Sequence, residues 1–149
     1  MSTPNWDNWQ FLLGEWIGEG GGVPGQGGGL QVFHLDLQKQ VLLRKNHVDF
    51  HATSERPAFS HDDLTVIYPD LSGKMRAIYF DNEGHVTPYL VSASPDDIVM
   101  VSDPEPDAPR FRTTFLSGKN GTLINRFEIT PPGDPDKFQM YVEGTSKRK

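Results

Sequence analysis

The sequence predicts an all-β fold: an antiparallel up-and-down β-barrel of about ten strands, with a short N-terminal helix. Three observations predict it. Short runs of apolar and β-branched residues alternate with polar ones along most of the chain after Gly14. The connectors are short and built from turn residues, such as Pro69-Asp70-Leu71-Ser72-Gly73 and Pro95-Asp96-Asp97. None of them has room for the helix that a parallel crossover requires. So many strands around one core must close into a barrel or fold as a sandwich, and the helix-first order fits a capped barrel best.

The elements follow in order. Pro4 suits a first helical turn, Trp6, Trp9 and Leu13 recur at spacings of three and four, and Gly14 offers a stop, which predicts one helix of about ten residues. Glu15–Gly22 alternates as the first strand, with Trp16, Gly18 and Gly20 on one side. Leu30–Leu37, Val41–His51, Asp63–Tyr68, Lys74–Phe80 and His85–Ser92 are the next five runs. Ile98–Ser102 follows, then a proline-rich loop over Asp103–Pro109. Phe111–Leu116 and Thr122–Thr130 flank Gly118-Lys119-Asn120-Gly121, a hairpin signal because Asn-Gly tolerates positive φ. Phe138–Gly144 is the last strand, and Lys147-Arg148-Lys149 is expected to fray.

The 149 residues suit a single domain, residues 1–149, able to bury a core. Nine of the 15 glycines fall within Gly14–Gly29, so one segment is peculiar and the rest is ordinary globular chain. Gly20-Gly21-Gly22-Val23-Pro24-Gly25 satisfies G-x-G-x-x-G, but a strand follows where a dinucleotide fingerprint needs a helix. The glycines are better read as strand curvature and a flap at the barrel mouth. The net charge of −6 and acidic loops oppose a nucleic-acid partner. The absence of cysteine excludes disulfides, thiol catalysis and Cys-ligated metal. Met1–Asn5 lacks the basic-then-apolar start of a signal peptide, and no apolar run reaches the roughly 18–20 residues of a membrane span. The expected compartment is the cytoplasm, with no membrane partner.

Leu12-Leu13-Gly14-Glu15-Trp16-Ile17-Gly18-Glu19-Gly20 resembles the opening of the calycin-like barrels, a Gly-x-Trp on the first strand just after a short helix. Lipocalins, fatty-acid-binding proteins and nitrobindins share that layout. Pro24-Gly25-Gln26-Gly27, Arg44-Lys45-Asn46, Asp63–Tyr68, Tyr79–Val86 and Pro109–Arg112 extend the resemblance to a bacterial lipocalin-like family over nearly the whole chain. It implies a ten-stranded barrel or half-barrel with an internal cavity, and no particular activity. Nitrobindins bind haem through a histidine on a late strand. No histidine follows His85 here, so haem is not expected and no other cofactor is implied.

Several residues could carry chemistry. In a closed barrel one face of each strand points inward, and an inward charge needs a partner or a ligand. Arg44 is the best candidate anchor for an acidic or lipid-like ligand, with Asn46 on the same face. Trp16, Tyr68, Tyr79, Tyr89, Arg112 and Arg126 complete the candidate ligand set. His61 and Asp63, with Glu83 and His85, place histidines and carboxylates at strand ends and could act as an acid–base cluster. No G-x-S-x-G elbow or H-E-x-x-H accompanies them. His47, Asp49 and His51 share a strand face and form a weak candidate metal set, because residues two apart stand nearly 7 Å apart at the roughly 3.3 Å rise of a strand.

Three functions follow as expectations. The first is a small-ligand carrier that buries a partly apolar molecule in the barrel. The second is an enzyme using the His/carboxylate cluster at the mouth. The third is a structural or homodimeric barrel filled by its own side chains.

Overall fold

The computed structural model describes residues 3–19 and 29–149. Ten antiparallel strands form a closed barrel: β1 (Gly14–Gly18), β2 (Gly29–Asp36), β3 (Val41–Phe50), β4 (Phe59–Pro69), β5 (Met75–Asp81), β6 (Val86–Ser94), β7 (Asp97–Ser102), β8 (Phe111–Ser117), β9 (Leu123–Ile129) and β10 (Gln139–Arg148). Each strand pairs with its sequence neighbours, and β1 pairs with β10 to close the ring. The expected up-and-down barrel is therefore the observed architecture. The flap and the G-x-G-x-x-G both involve residues 20–28, which lie outside the described residues.

Two terminal segments differ from expectation, each for a physical reason. The N-terminal segment contains a single 3₁₀ turn, Asp7–Trp9, in place of a ten-residue helix. Its backbone bonds span three residues, from Trp9 N to Trp6 O and from Leu12 N to Trp9 O, each at 3.0 Å. The buried side chains are Trp6, Trp9 and Leu12, spaced by three, while Leu13 is only half-buried. A period of three suits the three residues per turn of a 3₁₀ turn, not the 3.6 of an α-helix. The C-terminal residues do not fray. Lys147 and Arg148 pair with Ile17 and Trp16, because closing the ring requires the last strand to reach the first.

The register fixes which faces point inward. Phe33, Arg44, Thr65 and Tyr79 lie in one cross-strand row, and Gln31, Asn46, Asp63 and Asp81 lie in the next. The far wall is lined by Tyr89, Met100, Thr113, Phe115, Asn125 and Phe127.

The interior is uneven along the barrel axis. At one end Trp6, Trp9 and Leu12 plug the barrel beneath a core of Phe33, Leu42, Ile67, Ala77, Ile98, Phe115 and Leu123, all buried. Apart from Ala77, each of these large apolar side chains contributes about 1.5–3 kcal/mol by leaving water. Trp6 Nε1 donates to Lys39 O and Asn8 Nδ2 to Ala93 O, which tie the plug to the β2–β3 turn and to β6. At the other end the inward residues Phe50, Phe59, His61, Tyr79, Phe111, Phe127, Ile129 and Val142 are only half-buried. Among the described residues, the fully buried apolar side chains gather at the plugged end, where Leu35, Met75 and Ala93 are half-buried, and toward the other end most inward side chains, Val48 excepted, keep some contact with solvent.

Candidate functional site

The inner wall of β2–β5 carries a continuous polar network at the boundary between the two halves. Arg44 Nη1 donates to Asp63 Oδ1 at 2.6 Å, and Arg44 Nε donates to Gln31 Oε1 at 3.0 Å. Asn46 Nδ2 donates to Asp63 Oδ2 at 2.9 Å, and His61 Nε2 sits 3.1 Å from the same oxygen. The Tyr79 hydroxyl lies 3.3 Å from His61 Nε2 and donates to Asp81 Oδ2 at 3.0 Å. His85 Nδ1 meets Asp81 Oδ2 at 2.9 Å, and His61 Nδ1 faces Glu83 Oε1 at 3.7 Å. Gln31 Nε2 donates to Asn125 Oδ1 and Ser146 Oγ, each at 3.2 Å, so the network crosses to the opposite wall.

The strand period explains the convergence. His61 and Asp63 are two apart on β4 and therefore share the inner face, as do Arg44 and Asn46 on β3. The register then sets Asn46 opposite Asp63 and Asp63 opposite Asp81. Glu83 and His85 come from the β5–β6 turn, where Asp81 Oδ1 accepts the backbone N–H of both residues at 3.0 Å.

The electrostatics follow from these contacts. Burial alone would raise the Asp63 carboxyl. The Arg44 charge and hydrogen bonds from His61 and Asn46 outweigh it and hold the group below the usual carboxylate range. The bond to Asp63 raises the His61 imidazole above its ordinary value, partly opposed by burial. Burial, together with the neighbouring Asp63 and Asp81 carboxylates, pushes the Tyr79 phenol far up, so it is a hydrogen-bond donor at any physiological pH. Burial likewise raises Tyr89 on the inner face of β6.

The structure thus joins two candidate sets that the sequence presented as separate. His61, Asp63, Glu83 and His85 form one cluster, and Arg44, Asn46 and Tyr79 are bonded into it or beside it. Trp16 also faces inward, but in the plugged half: its Nε1 donates to Leu12 O at 2.8 Å, and Arg148 lies 4.2 Å above its ring.

Three candidates lie elsewhere. Tyr68 pairs with Arg76, and its side chain shares the outer face with that residue. Arg112 is on the outer wall, where it grips Glu128 through two bonds at 2.9 and 2.7 Å. Arg126 is outside as well, bonded to Glu143 at 2.9 Å. Each outward charge has a carboxylate partner in a neighbouring strand, so none needs a ligand to neutralise it.

The weak metal set is also on the outside. His47 Nε2 reaches Asp49 Oδ1 at 3.1 Å and His47 Nδ1 reaches Asp62 Oδ1 at 2.6 Å, while His51 lies exposed beyond the end of β3. Both ring nitrogens of His47 are thereby occupied. An open depression of about 470 Å³ runs along β2–β5, lined by Leu30, Val32, Leu64 and Phe80 beside Lys45 and His47, and also by Asn46, Asp63 and Asp81 of the inner network.

Sequence reasoning missed Asp81 and Gln31. Asp81 stands in a turn signal, Asp81-Asn82-Glu83-Gly84, which masks its inward position at the end of β5. Gln31 shares a face with Phe33, and that alternation was its one available signal. No protein-family model matches the chain, and no curated protein matches it either. No helix among the described residues is long and apolar enough to cross a membrane.

Proposed function

We propose that this chain is a lipocalin-like carrier that binds a small amphipathic molecule in the open half of its barrel. One observation carries the reading: most inward-facing side chains there keep solvent contact, whereas the fully buried apolar core gathers in the opposite half. The two walls of that half differ in chemistry. One bears Asn46, His61, Tyr79 and Asp81. The other bears Phe111 stacked on Phe127, with ring centroids 5.8 Å apart, and Tyr141 at the edge of Phe127. A site of this kind takes an apolar or aromatic body on one side and fixes a polar end on the other.

The polar end is best read as neutral or cationic. Arg44, the expected anchor for an acid, already spends its bonds on Asp63 and Gln31. The rim presents Asp81 and Glu83, which repel a carboxylate.

An acid–base enzyme is supported by one specific feature. His61 is braced by the buried Asp63 and touches the Tyr79 hydroxyl, the arrangement that positions an imidazole for proton transfer. Loss of turnover in His61→Ala with ligand binding retained would favour it over simple carriage.

The test uses N-phenyl-1-naphthylamine, a neutral aromatic probe with one N–H donor. Saturable fluorescence enhancement is expected, weakened about three- to tenfold in Tyr79→Phe by loss of one hydrogen bond. Arg112→Ala and Arg126→Ala should leave it unchanged. Absence of saturable binding, together with a bare polypeptide mass in native mass spectrometry of freshly purified protein, would overturn the carrier reading.

A further inference from the structure

We propose that the open rim of the barrel binds a divalent transition-metal ion of the zinc type, held by His61, Asp81, Glu83 and His85. The site shares His61 and Asp81 with the ligand wall proposed above, and its test uses the metal alone, so either reading can fail without the other.

The donor atoms of Asp81, Glu83 and His85 already stand near coordination spacing, and His61 approaches them at Glu83. Four tetrahedral ligands at about 2.0–2.1 Å from a zinc ion lie about 3.3–3.4 Å from one another. His85 Nδ1 is 2.9 Å from Asp81 Oδ2 and 3.9 Å from Glu83 Oε2. His61 Nδ1 is 3.7 Å from Glu83 Oε1. Asp81, Glu83 and His85 each offer an atom within 4.8 Å of the others; His61 lies outside that group and meets it at Glu83, so it would close on the ion as the fourth ligand.

Each ligand is also oriented by the fold. Asp81 Oδ1 accepts the backbone N–H groups of Glu83 and His85, and His85 Nδ1 faces both carboxylate oxygens, Oδ2 at 2.9 Å and Oδ1 at 3.2 Å. The oxygen Oδ2 is the nearer. That oxygen receives a further bond from Tyr79. His61 comes from a different strand. Its Nε2 faces the Asp63 carboxylate, so that nitrogen carries the hydrogen and Nδ1 keeps its lone pair toward Glu83. Among the described residues Nδ1 has no partner within hydrogen-bond distance. A carboxylate bonded to the far nitrogen of a ligating histidine is the usual support of such a ligand. Asp63 is in turn held by Arg44, so the support is rigid.

The ligand types select the ion. Two imidazoles and two carboxylates suit zinc and its first-row neighbours, whereas calcium and magnesium prefer oxygen alone. Two carboxylates also neutralise a divalent charge at the rim. The outer cluster around His47 sets one imidazole between two carboxylates, and among the described residues it is not one of the groups of three donors that lie mutually close, so it is the weaker competitor.

Calorimetry of EDTA-treated protein with Zn²⁺ should show one saturable equivalent. His61→Ala and His85→Ala should each lower the affinity at least about tenfold, and Asp63→Asn should lower it about 10–100-fold through loss of the support. His47→Ala should leave it unchanged. In a variant-free check, substoichiometric Mn²⁺ should broaden the NMR signals of His61 and residues 81–85 before those near His47. Absence of saturable binding, undiminished affinity in His61→Ala and His85→Ala together, or broadening centred on His47 would overturn the assignment.

Discussion

Arg44 Nη1 lies 2.6 Å from Asp63 Oδ1, and both side chains are almost withdrawn from water, at 11% and 4% exposure. The pair joins β3 to β4 at the boundary between the packed and open halves. Its own net worth is small, because desolvating two charges offsets most of their attraction. Removing one partner is different, since it strands the other charge. Arg44→Met is expected to destabilise the fold by about 3–5 kcal/mol, and Arg44→Met with Asp63→Leu to recover most of that loss. Urea unfolding of the two variants checks the claim; equal losses would contradict it.

Ring closure rests on Arg148 more than on the charges around it. Its guanidinium stacks 4.2 Å above Trp16, while Nη1 and Nη2 donate to Leu13 O at 2.7 Å and Phe11 O at 3.1 Å. Lys147 makes a single exposed pair with Glu19 at 3.1 Å. Arg148→Ala is expected to cost about 1–3 kcal/mol, and Lys147→Ala no more than about 1 kcal/mol. Thermal unfolding of both proteins separates the two effects, and a larger loss from Lys147→Ala would refute this account of the seam.

The strands were legible because alternation is local, and each of the ten expected runs overlaps an observed strand. The N-terminal turn was not, because spacings of three and four among Trp6, Trp9 and Leu13 suit a helix equally well. Phe11 and Leu12 widen the apolar side of either reading, and only contact with the barrel floor shows that Leu12 is fully buried while Leu13 is not. In the site, the shared faces of Arg44 with Asn46 and of His61 with Asp63 follow from period two. Which faces point inward depends on ring closure, a non-local event. Alternation alone therefore could not separate inward Arg44 from outward Arg112 and Arg126. Asp81 was hidden for a related reason: a turn signal says where a strand ends, not which way its last side chain points.

His47 offers a pH test away from the inner network. Its hydrogen bond to Asp62, assisted by Asp49, raises the imidazole above its ordinary value of about 6.5. A raised folded-state value means that the contact stabilises the protein fully below the unfolded value. That contribution is lost as pH rises through the folded one. His47 is exposed, so the effect on global stability is small. An NMR titration should show His47 titrating above 6.5, and Asp62→Asn should bring it down. An unchanged midpoint in that variant would show that Asp62 is not the cause.

Phe115 and Phe127 test the division of the barrel into a packed and an open half. Both face inward on neighbouring strands. Phe115 is fully buried and meets Phe33 edge-on at 5.4 Å, with the Arg44 guanidinium 5.5 Å from its ring. Phe127 is half-buried and touches Phe111 and Tyr141. Truncating a buried phenylalanine costs about 3–5 kcal/mol because it removes apolar burial and leaves a cavity. A ring already in contact with solvent leaves no sealed void, so Phe127→Ala should cost less than about 2 kcal/mol. Binding should rank the two the other way. Phe127→Ala should weaken N-phenyl-1-naphthylamine binding, while Phe115→Ala, measured well below its lowered unfolding temperature, should retain it. Urea melts and probe titrations on the same preparations give both rankings. Equal stability losses would mean that the barrel is packed along its whole length, leaving no open wall for a ligand to meet.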